Sequence, residues 1–112
     1  MQITATQEKD ILLLALTGRL DAFGAPQLRQ RLDEAIAEGQ VRLIVDLSEV
    51  ALVDSSGLGA LVGGLKRVRQ NGGDLKLVGL QPTARIVFEL TRLDRAFDIA
   101  DDVKAALVAF AA

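Results

Sequence analysis

Apolar residues recur along this chain with two different spacings, and the alternation between them predicts its elements. From Ile3 to Thr17 the residues are β-prone but broken at Glu8–Asp10. That predicts a hairpin whose second strand is ILLLAL, Ile11–Leu16. Gly18-Arg19-Leu20-Asp21 then leads into a helix opened by Pro26, a residue suited to a first helical turn. On it Leu28, Leu32, Ala35 and Ile36 fall on one stripe, and Gly39 follows as the stop. VRLIVDL, Val41–Leu47, is a short apolar run of the kind found in a strand covered on both faces.

After a short connection comes VDSSGLGALVGG, Val53–Gly64. There Leu58, Leu61, Val62, Leu65 and Val68 recur at helical spacing until Asn71-Gly72-Gly73 ends the run. DLKLVG, Asp74–Gly79, reads as the next strand. Pro82 starts a helix with Ile86, Val87 and Leu90 turned inward, and Phe97–Ile99 forms a last short strand. Asp101 is the expected N-cap of a terminal helix on which Val103, Ala106, Leu107 and Phe110 share a face, with Phe110 partly exposed. Strands alternating with helices indicate an α/β fold: a central mixed sheet of four to five strands with about four helices packed on it. One domain over residues 1–112 is expected.

Composition narrows the chemistry. The formal net charge is −2, so no basic field exists to hold nucleic acid or anionic lipid. Four Phe with no Trp or Tyr leave no stacking platform for single strands. Cysteine is absent, which excludes disulfides and thiolate chemistry; histidine is absent too, which removes the commonest general base and metal ligand. No cofactor or metal is expected. ILLLAL is far too short to span a membrane, and MQITATQEKD lacks the pattern of a secretion signal, so a cytoplasmic protein without membrane insertion is the expectation. KRVRQ, Lys66–Gln70, reads as solvated charge at a helix C-terminus, and Phe88 and Phe97 as core.

Asp54-Ser55-Ser56 is the stretch that invites a chemical reading. All three residues are good N-caps, and a structural reading needs only one of them, typically worth about 1 kcal/mol. A dinucleotide site is suggested by Gly57-Leu58-Gly59, but the spacing is GxGxxxG inside an apolar helical stripe rather than the GxGxxG fingerprint. A serine hydrolase lacks its histidine and the GxSxG elbow, leaving only a serine–lysine pair, and a phosphate-binding loop lacks GK[ST]. A phosphoacceptor fits better, because a seryl phosphate at a helix N-terminus meets free N–H groups and the positive end of the dipole. The modification adds roughly −1.5 to −2 charges. Against a docked partner a penalty of about 3 kcal/mol lowers affinity by roughly two orders of magnitude.

DLSEVALVDSSGLGALVGGLKRVRQNGGDLKLVG, with LTGRLDAFGAPQLRQRL before it and GLQPTARIVFELTRLDRAFDIADDVKAAL after it, resembles the STAS domain in its stand-alone form. That form is the bacterial anti-sigma factor antagonist, and DSSGLG after an apolar strand is the specific part of the likeness. The resemblance implies a partner-switching protein and not an enzyme. Unphosphorylated, it binds an anti-sigma factor that is itself a serine kinase; phosphorylated, it lets go, and a PP2C-type phosphatase restores it. Ser55 matches the phosphorylated hydroxyl, and Ser56 matches the second hydroxyl and the expected cap. Asp21, Asp54, Ser56, Gly57, Leu58 and Gly59 are the implied partner-binding residues. Val53 stands where the family commonly has Met, and Phe23-Gly24-Ala25 stands where relatives often carry polar residues. A monomer or weak dimer is expected. The alternative is a non-switching STAS scaffold, a subunit of a stressosome-like or lipid-transport complex.

Overall fold

In the computed structural model, which describes residues 1–111, the chain runs through five strands and four α-helices. They are β1 (Gln2–Glu8), β2 (Ile11–Leu20), α1 (Gly24–Ala37), β3 (Arg42–Val53), α2 (Ser55–Gln70), β4 (Asp74–Val78), α3 (Pro82–Leu90), β5 (Asp98–Ala100) and α4 (Val103–Ala111). A 3-10 turn, Leu93–Arg95, precedes β5. The sheet order is β1-β2-β3-β4-β5; β1 pairs antiparallel with β2, and every later neighbour is parallel. The expected hairpin and mixed sheet are both present.

The strand order steps always in one direction, so right-handed crossovers place α1, α2 and α3 on the same sheet face. There Leu14, Leu43, Val45 and Leu77 of the sheet meet Leu28, Leu32, Leu61 and Phe88 of the helices, all of them sealed from solvent. Alternation sends Ile11, Ile44 and Val78 to the other face, where α4 covers them with Ala106 and Phe110. Lys76 is buried under α4; its Nζ lies 2.6 Å from Asp98 and 4.6 Å from the centre of the Phe110 ring. Phe110, expected to be partly exposed, is therefore buried.

Several boundaries differ from the sequence reading. β3 does not stop at Leu47 before a connection; it continues to Val53 and hands the chain directly to α2. Pairing with β2 shifts register at Ala15/Thr17 and again at Gly18/Arg19, so Val50 and Val53 are the buried residues and the simple alternation that marks a strand is lost. Helix α1 opens at Gly24, two residues before Pro26. On α3 Phe88 is buried as expected, together with Ala84, and Val87 is half-buried, but Ile86 and Leu90, expected inward, are 54% and 80% exposed. The helix turns its largest ring inward, where Phe88 meets Phe97 edge-to-face at 5.7 Å. The terminal helix is capped by Asp102, which accepts from the Ala105 N–H at 2.8 Å, and not by Asp101. Two cations of KRVRQ are tied down: Arg67 to Asp33 of α1 at 2.5 Å and Arg69 to Asp74 at 3.1 Å.

Candidate functional site

Leu20 and Val53 are paired in register at the ends of β2 and β3, and both are buried. Each is followed by an aspartate, so two carboxylates leave the sheet side by side, Asp54 as the N-cap of α2 and Asp21 at the turn that leads into α1. Asp54 donates its N–H to the Leu20 carbonyl at 3.2 Å, and its Oδ1 accepts from the Gly57 N–H at 3.0 Å. Asp21 Oδ1 accepts from the N–H groups of Phe23 and Gly24, both at 3.0 Å, while its carbonyl accepts from Ala25 at 2.7 Å. The Gly24 N–H in particular, and the Phe23 N–H after it, hold the Asp21 carboxyl below its ordinary range against the opposing effect of burial.

The cap of α2 is thus Asp54, not Ser56 as the sequence suggested. Asp54 has the extended backbone an N-cap requires (φ −101°, ψ −173°), whereas Ser55 and Ser56 already belong to the first helical turn. Neither serine hydroxyl is used to close the helix. Ser55 is exposed as the first helical residue, Ser56 and Leu58 are half-buried, and Gly59 is exposed. All seven predicted residues meet at this edge. Gly57 is the one that offers no surface: it is buried, and an added Cβ would lie 2.7 Å from Leu20 Cγ and nearer still to the Leu20 carbonyl oxygen.

The other glycines of the run divide by what faces them. Gly64 lets Leu32 close in, since a Cβ there would lie 2.6 Å from Leu32 Cδ1. Gly59 lies under the Arg29 guanidinium, and Gly63 meets nothing within 4 Å. The glycines thus seat α2 against β2 and α1.

Sequence reasoning left Phe23 out of the site. It is 86% exposed in the loop that Asp21 holds, and Leu52, 46% exposed, precedes the Val53–Asp54 step. The available signal was an aromatic residue placed between a strand end and a helix start, where no core position exists for it.

Monotonic strand order leaves no point at which neighbouring crossovers diverge and open a crevice, so this edge is a surface rather than a cleft. Clefts of about 410 to 420 Å³ open elsewhere, one of them between the hairpin turn and α4, lined by Lys9, Asp10, Arg42 and Phe110. Among the described residues no group of His, Cys, Asp or Glu could hold a metal ion, and no helix is long and apolar enough to cross a membrane. An exposed hydroxyl therefore stands at the start of α2, beside a carboxylate committed to capping.

Residues 2–106 match the family model of the STAS domain. This chain belongs to the STAS domain family. The anti-sigma-B factor antagonist of Listeria monocytogenes is 33% identical over 93 residues, which is 83% of this chain and 82% of that protein. The crystal structure of an anti-sigma factor antagonist from Mycobacterium paratuberculosis superposes with a TM-score of 0.87 at 26% identity, covering 96% of this chain and 92% of that one. The Bacillus cell fate determinant SpoIIAA in its phosphorylated form shares the fold, with a TM-score of 0.74 at 24% identity and coverage of 93% and 96%. The expected STAS architecture, a mixed sheet of four to five strands with about four helices, is observed with five strands and four α-helices.

Proposed function

We propose that this STAS domain is an anti-sigma factor antagonist whose binding is switched by phosphorylation of Ser55. The observation that carries the reading is the position of Ser55: exposed, first in α2, and relieved of capping by Asp54. The names of its relatives support the antagonist role. In the forward step Ser55 Oγ bonds to the γ-phosphorus of ATP held by an anti-sigma factor serine kinase, the bond to the ADP oxygen breaks, and the hydroxyl proton passes to a base of that kinase. A PP2C-type phosphatase returns the serine by hydrolysis. The unphosphorylated form docks through the edge that carries Asp21, Asp54, Ser56, Leu58 and Gly59, with Gly57 fixing its shape from beneath.

Phosphate at a helix start costs the fold little, because the N-terminal N–H groups and the dipole favour the anion by about 0.3–1 kcal/mol. Its effect falls on the partner. An added charge of roughly −1.5 to −2 on a docked surface meets both repulsion and lost hydration. The cognate kinase should transfer one phosphate to the wild type and none to Ser55→Ala, with the site read by phosphopeptide mapping. Ser55→Asp should remain folded and fail to bind. Phosphate on another residue, or undiminished binding by Ser55→Asp, refutes the assignment.

A further inference from the structure

Arg29 lies exposed on α1, and its guanidinium rests over α2: a methyl group on Gly59 would sit 3.3 Å from Nη2. Gly59 is one helical turn beyond Ser55, on the same face of α2. Side-chain bonds on a helix tilt toward its N-terminus, so the space above Gly59 leans toward Ser55. Arg29 has no carboxylate partner among the described residues. The acid one turn further along its own helix, Asp33, is held by Arg67 of α2. A cation is therefore laid across the helix start with no anion to meet it, and the missing side chain at Gly59 is what leaves it room.

The other charged groups of this edge cannot take its place. Asp21 and Asp54 are anions occupied by the N–H groups of their own helices. Arg19 alternates with Leu20, whose side chain enters the core on the α1–α2 side, so Arg19 faces the opposite side of the sheet.

Resting on the Ser55 reading, we propose that Arg29 is the intramolecular receptor for the phosphoryl group on that residue. The guanidinium moves from Gly59 to the phosphate oxygens, a pairing its planar fork of donors suits. Phosphorylation then changes the docking edge twice, by adding an anion and by withdrawing a cation that the unmodified protein offers to its partner. The glycine at 59 becomes part of the switch, because a bulky side chain there would occupy the space in which the Arg29 guanidinium lies.

The test uses the full chain with phosphoserine placed at position 55 during translation, so that no kinase is needed. The readout is the second ionisation of the phosphate followed by 31P NMR. A neighbouring cation favours the dianion, so the wild type should titrate below the Arg29→Ala protein. For an exposed pair the gap should be about 0.2 to 0.7 pH unit. Arg29→Lys should fall between them, Arg19→Ala, whose charge reaches Asp21 through space, should shift the titration less than Arg29→Ala does, and Gly59→Leu should behave like Arg29→Ala. Equal titrations for wild type and Arg29→Ala, or a larger shift from Arg19→Ala than from Arg29→Ala, overturn the proposal. Unmodified Arg29→Ala should melt with the wild type, which separates lost phosphate binding from lost fold. Because phosphoserine is installed directly, a kinase that ignores Ser55 would sink the functional reading without touching this measurement.

Discussion

Replacing Gly57 by alanine should weaken the fold, while the same change six residues later, at Gly63, should strengthen it. Both residues lie in α2, and helix propensity alone favours alanine at either by about 1 kcal/mol. Their surroundings decide the sign. At Gly63 an added Cβ meets nothing within 4 Å, so the gain should survive almost whole. At Gly57 the Cβ would stand 2.7 Å from Leu20 Cγ, where carbon atoms rest comfortably at about 3.5–4.0 Å. The Leu20 carbonyl oxygen lies closer still, and it cannot turn aside, because it accepts the Asp54 N–H and belongs to β2. The start of α2 must lift by roughly 1 Å, straining the Asp54 cap, and because the obstructing atom is backbone the overpacking cost falls at the upper end of the usual range, about 2–3 kcal/mol. Set against the propensity gain, a net loss of about 1–2 kcal/mol remains. For a domain near this size each kcal/mol moves the melting point by about 4–8 °C. Thermal unfolding followed by circular dichroism should show Gly57→Ala falling by about 5–15 °C and Gly63→Ala rising by about 3–6 °C. If Gly57→Ala melts at or above the wild type, the close seating of α2 on Leu20 is wrong, and so is the account of why glycine occupies that place.

Asp54→Ala removes the cap of α2 and should lower stability by about 1 kcal/mol. Hydrogen exchange at the Gly57 amide should accelerate first, and unchanged protection there would contradict the Asp54 cap. Asp21 has its folded-state pKa lowered, so the stability its charge supplies is fully present above the ordinary carboxylate range and disappears as pH falls through the lowered value. Asp21→Asn should therefore be less stable than the wild type near pH 7, with the two melting curves converging as the pH falls below the ordinary carboxylate range and through the lowered value. Asp10, lowered chiefly by Arg42, contributes equally to both proteins and cancels in the difference. Parallel curves down to acid pH would refute the role given to the Gly24 and Phe23 N–H groups.

The site was readable in outline because its parts lie within a few residues of one another: an acid, two hydroxyls and a glycine at the head of a helix. Which of the three residues caps the helix was not readable. Asp54, Ser55 and Ser56 all cap well, and the choice among them depends on where β3 ends, which its pairing with β2 settles. Arg29 reaches the same edge only through the packing of α1 on α2, which no local pattern announces.

By itself the sequence determined the alternation of strand and helix, the leucine- and valine-rich core and the absence of thiol and imidazole chemistry, since these follow from residue type and spacing. Only the tertiary structure decided that β3 runs to Val53, that α3 leaves Ile86 and Leu90 exposed, and that the ends of β2 and β3 set two aspartates together. The reason is that periodicity records which side of an element is apolar. How far a bulged strand keeps its pairing, and which way a short helix turns, are fixed by the volumes it must fill against its neighbours.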